Sequence, residues 1–376
     1  MAGKFMLSRR QLLKSTAAGA ALGLGASLLP RGAFAAAPLT VGFIYVGPKD
    51  DYGYNQSHHL AAAEVAKIPG VTIVEEENVP ETTDVVKTME SMINLDGASL
   101  VFPTSFGYFD PFMLDTAKKY PDVQFRHCGG LWTDKDPSNT GSYFGYIGLG
   151  QYLNGIVAGH MTKSKKLGFV AAKPIPQVLE NINSFLLGAR TVDPTITVQT
   201  IFTGEWSLAV KEAEATNALA DQGIDVVTMH VDSPKVVVQT AAGRGLYVCG
   251  YHANQSALAP DKYLTGAEWN WTKPYTDFVN DFIAGKPLGQ FVRGGIPEGF
   301  VKMSPLGPAV SAQAKANFEA TLADINAAKG KYAVMKGPLK DNKGKEVVPA
   351  GKQLPEDAIE LESMDYLVEG VIGSTS

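Results

Sequence analysis

Apolar and polar positions in this chain follow two alternating patterns. Short continuous apolar runs, such as residues 39–46 and 98–102, are typical of strands buried on both faces of a parallel sheet. Between such runs lie stretches with apolar residues at helical spacing, such as 84–94. Because parallel strands need helices on both faces of their sheet, the alternation predicts an α/β fold with doubly wound, Rossmann-like layers.

The alternation occurs in two successive series, which predicts two lobes. Further strands are expected at 71–74, 166–171, 197–202, 225–229 and 246–249, and further helices at 111–119, 176–190, 208–222 and 234–243. We assign the chain to an N-terminal α/β lobe (36–157 with part of 272–310), a C-terminal α/β lobe (158–271), and a C-terminal helix and tail that pack on the lobes (311–376). The chain is expected to cross between the lobes near Gly155–Lys163 and near Trp269–Tyr275, with Gly266 and Pro274 as hinge residues.

The C-terminal region carries weaker patterns. Residues 312–330 have helical periodicity and are expected to pack on the flank of one lobe. Residues 337–345 are expected to form a charged hairpin or loop on the surface. We predict that these segments add nothing to a binding site.

Residues 1–35 have the pattern of an export signal, which is excluded from the fold. Ser8–Lys14 is a twin-arginine n-region, Ala18–Leu29 is an apolar stretch of small residues, and Ala33–Ala35 supplies a small-x-small cleavage site. The alternative is a membrane anchor, but the apolar run is short and rich in glycine. The sequence therefore predicts export to the periplasm through a twin-arginine signal.

Size and charge narrow the class of protein. Removal of the signal leaves 376 − 35 = 341 residues, which suits two domains better than one core. The net charge of −5 argues against a nucleic-acid partner, which favours a basic face. Cys128 and Cys249 each end an apolar run, so two buried thiols in separate sheets are favoured over a disulfide.

The residues that follow predicted strands are the candidate binding residues, because ligands of open α/β sheets bind at the carboxyl ends of the strands. Tyr54 and Trp206 are expected to face each other across a cleft and to stack on a planar ring, although ordinary packing is the alternative for any aromatic residue. The further candidates are Asp51, Tyr52, Asn55, Phe106, Asp232, Tyr251, His252 and Trp269.

Polar candidates would match the edges of such a ring. Asn55 can offer a donor and an acceptor, and Asp51 or Asp232 can accept from an N–H group. For Asp232 the alternative is a helix N-cap, since it precedes Pro234 and an apolar helix. Glu180, inside a predicted helix, is expected to be solvated.

The turn at Asp51–Ser57 also resembles a family signature, Asp-x-Gly-aromatic-Asn-Gln-Ser, of the basic membrane protein family. Members of that family are purine-binding receptors of ABC importers. Other segments resemble family landmarks in the family's order, and together they cover nearly the whole mature chain: Tyr120–Phe125, Tyr152–Gly159, Leu167–Val170, Asn183–Gly188, Leu264–Thr265 and Asn270–Trp271. The resemblance implies a type I periplasmic binding protein in which Tyr54 and Trp206 sandwich a purine ring.

Two positions depart from the family's nucleoside-binding pattern. Members that hold a ribose carry an Asp where this chain has His252, and a Lys where it has Trp269. A neutral imidazole offers one acceptor where a carboxylate can accept two hydroxyl hydrogens, and an indole would fill the space of a sugar. These departures favour a free purine nucleobase, adenine or a related base, over a nucleoside, although a nucleoside-binding receptor is the alternative.

The resulting prediction is a monomeric periplasmic receptor that closes on a purine base and delivers it to an ABC permease and ATPase. No cofactor, metal or catalytic residue is expected, because the common catalytic and phosphate-binding motifs are missing. Asp50–Asp51 leaves open a metal-dependent nucleoside hydrolase, an enzyme. A chemosensory receptor that reads the same closure is the third alternative.

Overall fold

The computed structural model of the protein describes residues 38–375, so the predicted signal lies outside the described residues. In chain order the strands are β1 (Leu39–Ile44), β2 (Val71–Glu76), β3 (Ala98–Pro103), β4 (Gln124–Cys128), β5 (Thr140–Gly145), β6 (Lys166–Ala171), β7 (Thr197–Phe202), β8 (Val226–His230), β9 (Tyr247–His252), β10 (Tyr263–Trp269), β11 (Phe291–Gly294), β12 (Val301–Met303), β13 (Ala333–Lys336), β14 (Leu339–Lys340), β15 (Glu346–Val348), β16 (Gln353–Pro355) and β17 (Val371–Ile372). The α-helices are α1 (Tyr54–Val65), α2 (Thr83–Asn94), α3 (Leu114–Lys119), α4 (Gly148–Met161), α5 (Pro176–Arg190), α6 (Ala209–Asp221), α7 (Lys235–Gly243), α8 (Thr272–Ile283) and α9 (Ala312–Ala328).

Two large sheets organise residues 38–375. The first has the order β11-β5-β4-β3-β1-β2, and all its strand pairs are parallel. The second has the order β12-β10-β9-β8-β6-β7-β17, and it is parallel except for the edge strand β12. We call each sheet with its covering helices the first and the second lobe. The predicted fold class, two doubly wound α/β lobes, is confirmed.

A strand's place in its sheet explains its apolar pattern. The inner strand β1 has paired neighbours on both sides, and it is buried at nearly every position. The edge strand β2 is only partly buried along its length. Strands covered on both faces read as continuous apolar runs, which is why the inner strands β1, β3, β6 and β8 were predictable and β5, with its glycines and serine, was not.

The first crossing between the lobes lies earlier than predicted. Helix α4 belongs to the second lobe, because Leu153 shares a core with Phe169 of β6 and Phe185 of α5. The chain therefore crosses between β5 and α4, and the predicted crossing at Gly155–Lys163 is wrong. Gly266 lies inside β10 and Pro274 in the first turn of α8, and their role as hinge residues stays a prediction. The other lobe boundaries stay predictions.

Helices α4 and α5 pack at backbone contact distance because glycines face each other there. A Cβ atom on Gly155 would lie 2.1 Å from the carbonyl oxygen of Phe185, and one on Gly188 would lie 2.0 Å from the carbonyl oxygen of Tyr152. Side chains at these two positions would push the helices apart. Both glycines belong to segments that resemble family landmarks.

The C-terminal region covers the second lobe. Phe318 and Ile325 of α9 pack into the core of that lobe, as predicted for a flanking helix. Strands β14 and β15 form the expected antiparallel hairpin, and β17 extends the second sheet beside β7. Cys128 in the first sheet and Cys249 in the second are both buried and free, which confirms the thiol prediction.

We expect Gly155→Ala to lower the free energy of unfolding by about 1–3 kcal/mol, because the added methyl group overpacks the contact between α4 and α5. Chemical denaturation measures the change. Gly243→Ala is the matched control: this exposed helical glycine has no atom near the position of a Cβ, so alanine should leave stability equal or raise it. Equal stability of both variants would contradict the packing argument.

Candidate functional site

The turn before α1 is held together by the carboxylate of Asp51. Its Oδ1 atom accepts hydrogen bonds from the backbone N–H groups of Gly53 (2.7 Å) and Gln56 (2.9 Å). Its Oδ2 atom accepts from the backbone N–H of Asn55 (3.0 Å) and from Asn55 Nδ2 (2.8 Å). Burial raises the pKa of Asp51, while these hydrogen bonds lower it by a smaller amount. Asp51 thus pairs with backbone N–H groups at the start of α1, which have no partner inside the helix. The prediction that Asp51 contacts a ligand is not supported.

Asn55 and Tyr52 also serve the turn. The Oδ1 atom of Asn55 accepts from the backbone N–H of Gly47 (3.2 Å), so both ends of this buried amide are already paired. Tyr52 has a left-handed backbone (φ +57°), and its ring lies against Lys235, 5.6 Å from the ammonium nitrogen. Neither residue lines the cavity described below. Their predicted ligand contacts are therefore not supported by the structure.

The same turn touches the second lobe through its backbone. The N–H of Tyr54 donates to the carbonyl oxygen of Asp232 (3.0 Å), and Gln255 Nε2 donates to the carbonyl oxygen of Tyr52 (2.6 Å). A Cβ on Gly53 would lie 2.0 Å from the Asp232 carbonyl oxygen. Only glycine leaves room for this approach, which gives a physical reason for the glycine in the Asp-x-Gly signature.

A narrow cavity of about 50 Å³ lies between the strand ends of the two lobes. We call it the inner cavity. Its walls are Tyr54, Ser105, Phe106, Cys128, Phe144, Ile175, Gln177, Trp206, His230, Asp232 and His252. Five predicted binding residues are thus brought together here: Tyr54, Phe106, Trp206, Asp232 and His252.

Two predicted stacking residues, Tyr54 and Trp206, contribute to the walls of the inner cavity from different lobes. The hydroxyl of Tyr54 donates to the carbonyl oxygen of Thr104 (2.6 Å), and its ring meets the ring of His58 edge-on at 4.6 Å. The backbone carbonyl of Trp206 accepts from the N–H of Asp232 (2.7 Å), and Lys173 Nζ lies 5.4 Å from the indole centroid. Both rings are half-buried and open to the cavity.

Asp232 and Gln177 bring polar groups without partners to the inner cavity. Among residues 38–375, nothing donates a hydrogen bond to the Asp232 carboxylate, and the buried Nε2 of Gln177 has no acceptor. Burial raises the pKa of Asp232 well above its usual range, as do the charges of Asp51 and Glu81. Helix α7 has no side-chain cap, so the capping alternative for Asp232 is wrong.

His230 is a wall residue that the sequence prediction missed. The Asn181 amide links His230 Nδ1 (2.9 Å) to the hydroxyl of Tyr251 (2.7 Å), which orients both rings. Burial lowers the pKa of His230 to about 3, so the ring is neutral. Tyr251 stands behind His230 at 4.5 Å and does not line the cavity, unlike the prediction. His230 was missed because β8 ends at His230, one residue later than predicted, so this strand end was not counted among the candidates.

His252 lines the inner cavity, whereas Trp269 supports it from behind. Trp269 Nε1 donates to Nδ1 of His252 (2.8 Å), which leaves the ring proton on Nε2. Burial lowers the pKa of His252 well below its usual range. Trp269 stacks on Trp271 at 4.6 Å and is absent from the cavity wall. Its predicted place in the space of a sugar stays a prediction.

A second cavity of about 160 Å³ adjoins the inner one, and we call it the outer cavity. The two share Phe106, Phe144, Ile175 and Gln177. Glu180, Glu356 and Glu362 also line the outer cavity. Two predictions are wrong here: Glu180 is half-buried rather than solvated, and the C-terminal segment does contribute to the interlobe space.

The described residues contain no metal centre of the kind a hydrolase would use. Within 38–375, no group of at least three His, Cys, Asp and Glu side chains is placed to hold a metal ion. Asp51 is committed to the turn, and Asp50 is exposed. The helices of that part of the chain are all too short or too polar to cross a bilayer.

Comparison with known proteins identifies the family. Residues 39–343 match the Bmp family, described as ABC transporter substrate-binding protein PnrA-like. The chain belongs to the Bmp family. Its ligand is therefore a small molecule, and its partners are the membrane components of an ABC transporter, which such proteins serve outside the cytoplasm. The resemblance inferred from the sequence is confirmed.

Individual relatives agree with this assignment. The chain is 35% identical over 346 residues to a purine-binding protein of Brucella abortus, and the match covers 92% of this chain and 96% of the relative. It is 32% identical over 279 residues (74% of this chain, 70% of the relative) to a Haloferax volcanii protein whose name assigns it to glucose binding by an ABC transporter. An Aeropyrum pernix solute-binding protein shares the fold, with a TM-score of 0.67 at 19% identity over 80% of this chain and 94% of that chain.

We expect Asp51→Ala to lower the free energy of unfolding by at least about 1.5 kcal/mol, because three buried donors and one partly buried donor lose a charged acceptor. Urea denaturation at neutral pH measures the difference. The neighbouring Asp50→Ala removes an exposed carboxylate and should change stability by less than about 0.5 kcal/mol. If the two variants were equally stable, Asp51 would not be the acceptor that holds the turn.

Proposed function

We propose that this Bmp protein captures a purine nucleobase, adenine or a related base, in the inner cavity and delivers it to an ABC permease and ATPase. The observation that carries the proposal is the pair of free polar groups, the Asp232 carboxylate and Gln177 Nε2, on a wall that also holds Tyr54 and Trp206. The name of the Brucella abortus relative, a purine-binding protein at 35% identity, supports the same ligand class.

The chemistry of a purine matches these walls. Its flat ring can stack on Tyr54 and Trp206, and base stacking on an aromatic side chain contributes about 1–3 kcal/mol per contact. Its edge presents N–H donors for the Asp232 carboxylate and ring nitrogens that accept from the Gln177 amide. A buried polar group left unpaired costs about 1–3 kcal/mol, so a ligand that pairs both groups gains affinity and orientation.

A free base is proposed over a nucleoside because of the chemistry of the inner cavity. The position of a family sugar-binding Asp is taken by His252. The neutral His252 ring already receives the indole N–H of Trp269 on Nδ1, so it has no acceptor left for a hydroxyl. A carboxylate that could accept two sugar hydroxyls is thus replaced by a single ring donor.

Capture is proposed to occur by closure of the lobes in a monomer exported to the periplasm through the twin-arginine signal. Neither lobe alone supplies both ring faces, so the ligand stabilises the closed arrangement through contacts that only closure completes. The hydrogen bond from the Tyr54 N–H to the Asp232 carbonyl joins the lobes beside the cavity. We propose that the protein binds its ligand without a chemical reaction, rather than hydrolysing it. We also propose that it serves an importer rather than a sensory receptor.

Isothermal titration of refolded, ligand-stripped protein should detect adenine binding, with adenosine at least about tenfold weaker because His252 offers no acceptor where the nucleoside-binding members of the family have an Asp. Guanine, hypoxanthine, uracil, glucose and ribose complete the panel. Adenosine binding about tenfold tighter than every free base would replace the proposal with a nucleoside receptor. Tight binding of glucose alone would refute a purine ligand.

Trp206→Ala and Asp232→Asn should each weaken adenine binding by about tenfold or more, because one removes a stacking face and the other replaces a carboxyl group, which can give up its proton and accept from an N–H group, by an amide that cannot ionise. Circular dichroism confirms folding. Trp132→Ala is the control: this half-buried tryptophan bonds Thr140 and lies away from the cavity wall, so affinity should not change. Unchanged affinity in Trp206→Ala would remove the indole from the site.

A further inference from the structure

The outer cavity combines apolar walls with buried carboxyl groups. Its apolar wall includes Phe106, Leu131, Phe144, Ile175 and Leu361. Its acidic residues come from separate parts of the chain, Glu180 from α5 and Glu356 and Glu362 from the C-terminal segment. Glu356 and Glu362 lie outside residues 39–343, the part of the chain that matches the family model. Two of the three acidic wall residues of the outer cavity therefore come from outside the matched part.

Glu356 is the carboxyl group with the least support from the protein. Its residue is 4% exposed, and neither carboxylate oxygen has a hydrogen-bond partner among residues 38–375. A Cβ on Gly295 would lie 2.4 Å from Glu356 Oε2, so the carboxylate occupies space that a glycine leaves open. A buried acid with no donor is costly, which makes this group a candidate for pairing with a ligand.

Glu180 occupies a similar position on the other side. Its carboxylate accepts no hydrogen bond from residues 38–375, and a Cβ on Gly148 would lie 2.2 Å from its Oε1 atom. Glu180 and Glu356 line the same cavity, and the charge of Glu180 helps to raise the pKa of Glu356. Glu362, by contrast, is paired with Arg293, with its Oε1 atom 3.4 Å from Arg293 Nε.

We propose that the outer cavity is a subsite for a primary ammonium group on a short apolar chain, carried by the ligand whose ring occupies the inner cavity. This inference rests on the proposed function, because the two cavities share four wall residues. The chain would cross the shared wall at Phe106 and Phe144, and the ammonium group would bind between Glu180 and Glu356. The preferred ligand is then a purine that carries an aminoalkyl substituent.

The residues favour an ammonium group over the other partners of a carboxylate. No three-ligand metal cluster occurs among residues 38–375, which argues against a cation bound by protein ligands alone. A sugar would bring hydroxyl groups against a largely apolar wall, where many of them would stay unpaired. An alkylammonium ion brings three donors on a chain that the apolar wall can cover.

The experiment compares three ligands by titration calorimetry: adenine, butyl-substituted adenine and aminobutyl-substituted adenine. The substituent is attached in one series to the exocyclic amine and in another to the imidazole-ring nitrogen. In the natural protein we expect the aminobutyl compound of one series to bind at least about tenfold tighter than its butyl counterpart. Glu356→Gln and Glu180→Gln keep the side-chain shape and should each remove most of this difference. Glu319→Gln, an exposed change on α9, should leave it intact.

Proton release provides a second readout. Burial raises the pKa of Glu180 and of Glu356 to about 8 each, and neighbouring acids add to the shift: Glu362 for Glu180, and Glu298, Glu180 and Asp357 for Glu356. Lys331 lowers the pKa of Glu356 by a smaller amount, and Arg293 and Tyr146 stand beside Glu362. Near pH 7 these carboxyl groups are largely protonated, so ammonium binding should release protons and strengthen as pH rises to 8. Titration in buffers of different ionisation enthalpy measures the release.

The outcomes separate the subsite from the proposed function. If adenine binds but aminobutyl and butyl compounds have equal affinity in both series, the subsite is refuted while the base site stands. Preference for the ammonium compound that survives both glutamine variants, or binding without proton release, would also overturn it. If no purine binds at all, the proposed function fails, and the subsite fails with it.

Discussion

The contact between the backbone of Gly53 and Tyr54 in the first lobe and the carbonyl of Asp232 in the second organises this interlobe site. It is possible only because position 53 lacks a side chain and because Asp51 holds the preceding turn in place. The contact brings Tyr54 and Asp232 to one cavity, together with Trp206, whose carbonyl accepts the N–H of Asp232. One backbone junction thus positions a ring and a carboxylate from different lobes.

The polar residues near that junction fall into two groups, those paired within the protein and those left unpaired. Asp51 and Asn55 pair with backbone groups and with each other, so their polar atoms stabilise the turn. Asp232 and Gln177 keep polar atoms unpaired beside the inner cavity. A binding protein needs both kinds of residue, because a ligand can only gain from groups that the fold has left unsatisfied.

The C-terminal segment gives the interlobe space a second part. It covers the second lobe with α9 and adds β17 to its sheet, and it also brings Glu356 and Glu362 to the outer cavity. The same stretch of chain thus extends the second lobe and supplies acidic residues to the wall of the outer cavity. The outer cavity shares walls with the inner one, so residues far apart in sequence act on one continuous interlobe space.

The sequence by itself determined the fold class and the strand ends where a ligand would bind, because buried parallel strands and amphipathic helices have distinct apolar periods. It also identified Tyr54, Phe106, Trp206, Asp232 and His252, all of which follow or end strands and line the inner cavity. Only the tertiary structure could decide whether a polar side chain was already paired. That separates Asp51, which holds a turn, from Asp232, which faces a cavity, although both are acids after strands. Pairing, and the placement of Glu356 and Glu180 on the wall of one cavity, depend on contacts between distant segments, and local patterns along a chain carry no information about such contacts.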